Sequence, residues 1–287
     1  MREMTADIVI IGAGSAGLCA AYQAAAAGAD VLAVDENKLP GGQLFKQIHK
    51  FFGSREHNAG VRGYKIGYQL LEQAEKCGAR ILLDSLVYGL FPDLSMGLIH
   101  QNRNYVLKAK RIIIAAGARE NYLPFSGSTL PGVMGAGAAQ TLVNLHRVLP
   151  GKRIVMVGSG NVGLIVSYQL VQAGAEVAAV LEAAPAIGGY GVHAAKLRRA
   201  GIPILTSHTV IRARGRDDVR EVDIAALGEP GPIPGTDRTI KADTVCLAVG
   251  LSPMTELAWM CGCRFTYIIY RHLGAMCRYI IRIWNLP

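Results

Sequence analysis

The sequence predicts an α/β fold in which one unit is written twice, and three observations carry that prediction. Residues 7 to 36, "DIVIIGAGSAGLCAAYQAAAAGADVLAVDE", match residues 153 to 182, "RIVMVGSGNVGLIVSYQLVQAGAEVAAVLE", without a gap. Each copy runs apolar strand, glycine turn, helix formers and a second apolar strand, the order of a parallel crossover. At 287 residues the chain exceeds the ~150 of one ordinary domain, so each copy has room for its own core.

Taken in order, the β-branched runs Ile8 to Ile11 and Ile154 to Val157 read as buried parallel strands. The glycines that follow have separable jobs. Gly12 or Gly158 allows the tight turn from strand to helix, Gly14 or Gly160 lets a pyrophosphate approach the backbone, and Gly17 or Gly163 lets helix and strand pack closely. Ala13 and Ser15 complete the first turn and Asn161 opens the second helix. Each helix N-terminus presents unpaired N–H groups and a partial positive charge to an anion. At the end of the second strand, Asp35 or Glu36 in one copy and Glu182 in the other can accept hydrogen bonds from ribose hydroxyls. These are two Rossmann-like dinucleotide-binding units of the three-layer ββα kind. Glu182, followed by "AAPAIGG" with no arginine, favours NAD over NADP, because a carboxylate repels a 2′-phosphate.

After each unit come short strands and turns, "ARILLDSLVYGLFPDLSMGLIHQNRNYVLKAKRIIIAAGA" and "IPILTSHTVIRARGRDDVREVDIAALGEPGPIPGTDRTIKADTVCLAVG", both ending in an apolar strand that runs into glycine. The repeat therefore extends into a meander. The Pro/Gly-rich "ENYLPFSGSTLPGVMGAG" reads as the crossing between domains. The expected division is 1–125, 126–255 and a return segment 256–287.

Composition narrows the class. With 34 Gly and 51% hydrophobic residues the chain is globular and free of polar low-complexity tracts. Its formal charge of +9 comes with no dense Lys/Arg cluster interleaved with aromatics, so no nucleic-acid partner is expected. No stretch reaches the ~18 apolar residues of a membrane span. The six cysteines show no CxxC pair, and no N-terminal signal sequence is evident, so a reduced, cytoplasmic protein is expected. Oligomeric state leaves no mark in the sequence.

The two units, together with "GGQ" at Gly41 to Gln43, "IIIAAGA" at Ile112 to Ala118 and "CLAVGLSP" at Cys246 to Pro253, resemble the two-dinucleotide flavoproteins of the thioredoxin-reductase type over residues 5 to about 268. The resemblance implies FAD in the first unit, a pyridine nucleotide in the second, and the NAD domain inserted within the FAD domain. It also implies that Gly12, Gly14, Gly17, Asp35, Glu36, Gly42 and Gln43 line the FAD, with Ala116 and Gly117 closing over it. Gly158, Gly160, Asn161, Gly163 and Glu182 would hold NAD. Further wording, "FGSREHNAGVRG", "LPGVMGAGAAQTLVN" and "GGYGVHAAKLRRAGIPILTSHT", is similar to the alpha-type chains of multi-subunit amine and amino-acid oxidoreductases, such as sarcosine oxidase, hydrogen cyanide synthase and opine oxidases. That implies a beta-type amine-oxidising partner subunit. The second unit carries no CxxC, so no dithiol can pass electrons from flavin to a disulfide, and thioredoxin reduction is excluded.

Hydride transfer asks the protein mainly for alignment, so no catalytic acid or base is assigned. Arg55, His57 and Arg62 could bind a carboxylate or a flavin pyrophosphate, but read better as a solvated basic loop; His193 reads as a packed or solvent-facing histidine rather than a group beside a nicotinamide. "MCGC" at Met260 to Cys263 does not complete a tetrahedral metal site, and no metal is expected. The Trp and Met residues between Met254 and Met260 read as a core face.

The chain closes on "TYIIYRHLGAMCRYIIRIWNLP". Where the family pattern calls for a Gly-Gly turn, a Met-Glu-Thr element and a "GD" segment, none is written. Read one frame over from Tyr270, the letters can encode Pro, Ser and Leu and then, across "LGAMCRYIIRIWN", Gly-Gly-His-Val-Pro-Val-His-Asn-Pro-Tyr-Met-Glu. A frameshift near residues 268 to 270 is therefore expected, with an FAD domain that is C-terminally incomplete and with weak or absent flavin, since lost partners would expose apolar surface on its sheet. Three functions follow from the sequence: one subunit of an FAD- and NAD-dependent oxidoreductase, a truncated non-catalytic remnant that at most binds nucleotide, and a standalone NADH-dependent electron-transfer reductase.

Overall fold

The computed structural model describes residues 2–51 and 54–265; the closing stretch for which a frameshift is expected, with Arg271, Cys277, Arg278 and Arg282, lies outside them. The chain divides into two compact units, Arg119–Ser252 and the flanking residues through Ala118 and from Pro253.

The flanking unit contains β1 (Arg2–Ile11), α1 (Ser15–Ala26), β2 (Val31–Val34), α2 (Gly63–Lys76), β3 (Arg80–Leu82), β4 (Ser85–Leu90), β5 (Ser95–His100) and β6 (Arg103–Ile114). Its six strands form one sheet in the order β3-β2-β1-β6-β5-β4, with β1, β2, β3 and β6 parallel. Alternate residues of β1 feed two cores. Ile10 packs with Ala21, Ala25 and Ala74 under the helices, while Val9 and Ile11 pack with Leu98 and Leu107 of the meander, as the two-residue period of a strand requires. The observed β1 begins at Arg2, well before the expected Ile8, because residues 2 to 6 pair with Tyr105 to Ala109. β7 (Ala118–Glu120) then pairs with β16 (Leu251–Pro253) where the chain passes between units.

The inserted unit repeats the plan with β8 (Val133–Gly135), α3 (Ala136–Thr141), β9 (Arg153–Val157), α4 (Asn161–Gln172), β10 (Glu176–Glu182), α5 (Gly191–Arg199), β11 (Ile204–Thr206), β12 (His208–Arg214), β13 (Glu221–Ala226), β14 (Arg238–Lys241) and β15 (Thr244–Leu247). Here the strands form two sheets, a parallel β11-β10-β9-β15-β8 and an antiparallel β12-β13-β14. Ile154 and Met156 face the helices, and Val155 and Val157 face the antiparallel layer.

α1 forms because alanine, the best helix former, dominates its sequence, whereas α4 has no alanine and forms by burying Leu164, Val166 and Leu170 against its sheet; both stop by the same device. Gly28 (φ +88°) and Gly174 (φ +98°) adopt the left-handed region, and the next residues return N–H groups to the helix, Ala29 to Ala24 O at 3.2 Å and Ala175 to Leu170 O at 3.0 Å. The division at Ala118 comes earlier than the crossing expected at 125. The Pro/Gly-rich stretch belongs to the inserted unit because Leu123, Phe125 and Leu130 pack on that unit's core and Ala213 N donates to Ser126 O at 2.8 Å.

One expectation is overturned. α6 (Glu256–Met260) is too short to bury the whole Met254–Met260 stretch: Ala258 and Cys261 take the inner face, leaving Met254, Trp259 and Met260 exposed. Among the described residues no helix is long and apolar enough to cross a membrane.

Candidate functional site

The two glycine turns sit at the C-terminal ends of β1 and β9, and each is shaped by the same backbone contacts. Gly12 N donates to Val34 O and Gly158 N to Leu181 O, both at 2.7 Å; Ala115 N returns to Ile11 O and Ala248 N to Val157 O, both at 2.7 Å. Gly12 (φ +106°) and Gly158 (φ +104°) lie in the left-handed region, and a Cβ on either would collide with the carbonyl of Ala115 or Ala248. A Cβ on Gly17 or Gly163 would strike the carbonyl of Gly12 or Gly158, which is the close helix–strand packing expected of the third glycine.

Gly14 and Gly160 are the N-caps of α1 and α4, extended in backbone and without a side-chain cap. Space opens beside both: a Cβ on Gly14 would come no nearer than 3.9 Å to Gly42 Cα, and one on Gly160 would meet nothing within 4 Å. A bare helix N-terminus next to open backbone fits an anion, by charge and by unpaired donors. In each unit a later glycine pair closes on the turn, Gly41 N donating to Ala13 O and Gly189 N to Ser159 O, both at 2.8 Å.

The strand-end acids occupy matching places that the sequence left open. Asp35 Oδ2 accepts from Ala13 N at 2.6 Å and Oδ1 from Asn37 N at 2.8 Å. Glu182 Oε2 accepts from Ser159 N at 2.9 Å and Oε1 from Ala184 N at 2.9 Å. Both carboxylates clamp the glycine turn to the neighbouring strand. Asp35 is buried, whereas Glu36, one residue on, is exposed. The second clamp has an extra link: Ser159 Oγ donates to Glu182 at 2.6 Å and accepts from Gly188 N at 3.1 Å.

The remaining sequence candidates fall around these turns. Ser15 is exposed at the start of α1, Gln43 is exposed in the helical turn Gly42–Lys46, and Ala116 lies beside Gly12, followed by Gly117 at φ +77°. Asn161 turns its side chain to the 188–191 loop, Oδ1 accepting from Tyr190 N at 2.8 Å. Arg62 donates from its guanidinium to the Ile48 carbonyl. His193 is buried on α5, and burial, helped by the Lys196 charge, lowers its pKa. Cys261 and Cys263 bring their sulfurs to 3.3 Å; burial and that contact push the Cys263 thiol up to about 11.

Sequence reasoning missed Glu120. Its Oε1 accepts from Gly137 N at 2.6 Å, tying the crossing strand β7 to α3. The only signal was an acid placed just after "AAGAR".

Residues 6–268 match the family described as pyridine nucleotide-disulphide oxidoreductase. The A subunit of opine oxidase from Agrobacterium tumefaciens (strain Ach5) is 30% identical over 292 residues, covering 91% of this chain and 55% of the relative. The HcnB subunit of hydrogen cyanide synthase from Pseudomonas aeruginosa is 29% identical, covering 94% and 62%; the alpha subunit of sarcosine oxidase from Rhizobium meliloti (strain 1021) is 26% identical, covering 88% and 25%. The chain thus spans about half the length of the first curated relatives it matches. Among solved structures, T. acidophilum thioredoxin reductase shares the fold at TM-score 0.72 and 22% identity, covering 91% of this chain and 82% of that one.

Proposed function

This chain belongs to the pyridine nucleotide-disulphide oxidoreductase family, and on that premise we propose that its flanking unit holds FAD, its inserted unit holds NAD, and a hydride passes between them. The observation that carries the proposal is the duplicated cradle: an open glycine at an uncapped helix N-terminus, closed by a second glycine pair and clamped by an acid. Flavin and nicotinamide supply the redox chemistry when bound, and the protein supplies binding and alignment.

In the flanking unit, the backbone N–H groups of Gly14, Ser15 and the first turn of α1 hold the pyrophosphate, with Gly12, Ala13 and Gly17 shaping the turn. Glu36, exposed at the end of β2, takes the ribose hydroxyls; Asp35 is a positioning residue that acts through Ala13. Gly42, Gln43, Ala116 and Gly117 close the site. In the inserted unit Gly158, Gly160 and Gly163 repeat the cradle, and Asn161 acts through the Tyr190 loop. Glu182 keeps a carboxylate at the strand end, with one lone pair to spare beyond its three hydrogen bonds from Ser159 N, Ser159 Oγ and Ala184 N, and no arginine or lysine follows before Gly191, which supports NAD over NADP.

The relatives named as subunits of opine oxidase, sarcosine oxidase and hydrogen cyanide synthase support a role within a larger assembly, with a beta-type partner that oxidises an amine or amino acid. A cytoplasmic setting belongs to the same proposal, supported by the free thiols of Cys19, Cys77, Cys246, Cys261 and Cys263.

The test is an anaerobic titration of the purified, FAD-supplemented chain with NADH. A bound flavin spectrum that bleaches on NADH addition is expected. NADH binding without any flavin signal would leave a nucleotide-binding remnant, and rapid dye reduction by the chain alone would favour a standalone reductase.

A further inference from the structure

We propose that the inserted unit carries a second ligand site, for a small organic anion with a carboxylate or phosphate on an apolar body, in the cavity between its two sheets. That cavity is an open groove of about 650 Å³, within the ~300–1,000 Å³ of ordinary small-molecule sites, with Arg238 and Lys241 at its solvent-exposed rim. Its walls are Ala178, Ala179, Pro203, Leu205 and Ile240; Arg153, Arg238 and Lys241 line the same space.

Its origin lies in two local features. β10 is irregular between Val177 and Ala179 in its pairing with β9, and the small residues Ala178 and Ala179 at that bulge leave the volume unfilled. The second feature is Asp243, whose carboxylate accepts from Lys152 N at 2.9 Å and from Arg153 N at 3.1 Å. It sits in the break between β14 and β15, so the antiparallel layer separates from the parallel sheet. In the flanking unit β6 runs unbroken from Arg103 to Ile114 and the two parts stay one sheet.

The charges select an anion. Arg153 is committed, its Nε donating to Lys241 O at 2.7 Å and its guanidinium paired with Glu176. Lys241 stands opposite Glu221 in the strand pairing. Arg238 stands opposite Ile224 and has no ion-pair partner among the described residues. One guanidinium fork is left over beside an apolar wall, an arrangement suited to bidentate recognition of carboxylate or phosphate. Arg153 opens β9 and Gly158 follows its last residue; five strand residues separate them by about 16 Å. A ligand here therefore leaves the glycine turn clear, and the inference stands independently of the cofactor assignment.

Calorimetric titration of the full chain with phenyl phosphate, benzyl alcohol and inorganic phosphate tests it. Phenyl phosphate should bind at one site, more tightly than either of the others. Arg238→Gln should weaken it about tenfold, and Ala178→Leu, which fills the cavity, by at least as much, with the melting temperature of R238Q within about 2 °C of the parent. No binding of phenyl phosphate at millimolar concentration, equal binding of benzyl alcohol or inorganic phosphate, or undiminished affinity in R238Q overturns the proposal. If A178L fails to fold, R238Q decides alone.

Discussion

The flanking and inserted units hold the same turn with different side chains. In the first, a short, buried Asp35 reaches Ala13 directly. In the second, the longer Glu182 reaches Ser159, whose hydroxyl adds its own bonds to the acid and to the 188–191 loop. What is held constant is the set of backbone donors at the turn; acid length and the neighbouring residue vary together so that those donors stay satisfied. The sheets differ more: one continuous six-stranded sheet against a parallel sheet with a detached antiparallel layer.

The largest expected effect comes from treating the turns as independent. Gly12→Val and Gly158→Val each force a β-branched residue to positive φ, at ~1–3 kcal/mol, and into the carbonyl of Ala115 or Ala248. G12V should lose FAD affinity by more than ~100-fold with NADH binding unchanged, and G158V the reverse, read by flavin absorbance and NADH fluorescence titration. Loss of both ligands in either variant would break the equivalence of the two cradles.

The clamps should differ in strength. Asp35→Asn places an amide against three N–H donors, from Ala13 N, Asn37 N and Asn37 Nδ2, in a buried site, and about 2–3 kcal/mol of stability should go with it. Glu182→Gln, at a partly exposed site with Ser159 able to adjust, should cost about 1 kcal/mol. Urea unfolding midpoints of the two variants measure the gap, and an equal cost would mean burial does not govern the clamp.

Much of this architecture was legible in the sequence, because the glycine turns, the apolar strands and the Ala-rich α1 each have a local cause, and α4 is read from its match to α1. The clamp was not. Asp35 and Glu36 are adjacent acids just past the end of β2, where strand alternation no longer fixes their directions, so sequence alone cannot say which meets the turn. Neither was the position of the domain crossing, since Leu123, Phe125 and Leu130 lie among prolines and glycines and reveal their side only by packing. Met254 to Met260 misled because apolar spacing says nothing about helix length, and a five-residue helix has too small an inner face. The split of the second sheet depends on Asp243 meeting the start of β9, a contact made across some ninety residues.

The last strands of the two sheets give a pH-dependent comparison. Ala115 and Ala248 occupy the same place against Gly12 and Gly158, so Ile113 matches Cys246 two residues earlier. Burial, with the Glu120 charge adding, pushes the Cys246 thiol from 9.0 to about 12. Below pH 9 the thiol is protonated folded and unfolded alike. Between about 9 and 12 the unfolded chain releases the proton and the folded unit keeps it, so stability of the inserted unit should fall by ~1.4 kcal/mol per pH unit. Ile113 cannot ionise. Cys263, partly exposed, contributes a smaller, solvent-screened share to the flanking unit. Alkaline unfolding should therefore reach the inserted unit first, and Cys246→Ala should flatten its slope; a slope unchanged by C246A would remove the thiol as its source.

The smallest effect separates the two helix starts. Asn161 and Ser15 hold equivalent positions in the repeat, yet Asn161 restrains the Tyr190 N–H at 2.8 Å, while Ser15 is exposed and caps nothing. Asn161→Ala frees one backbone donor on the loop that closes the second cradle, worth ~0.5–1.5 kcal/mol. The expected outcome is a rise of about three- to tenfold in KM for NADH with kcat nearly unchanged, because the loop would order only on binding. Ser15→Ala should leave FAD affinity within about twofold, since water replaces an exposed hydroxyl. A matching loss in S15A would mean that the first cradle also depends on a side chain at its helix start, and that the two units close by one mechanism rather than two.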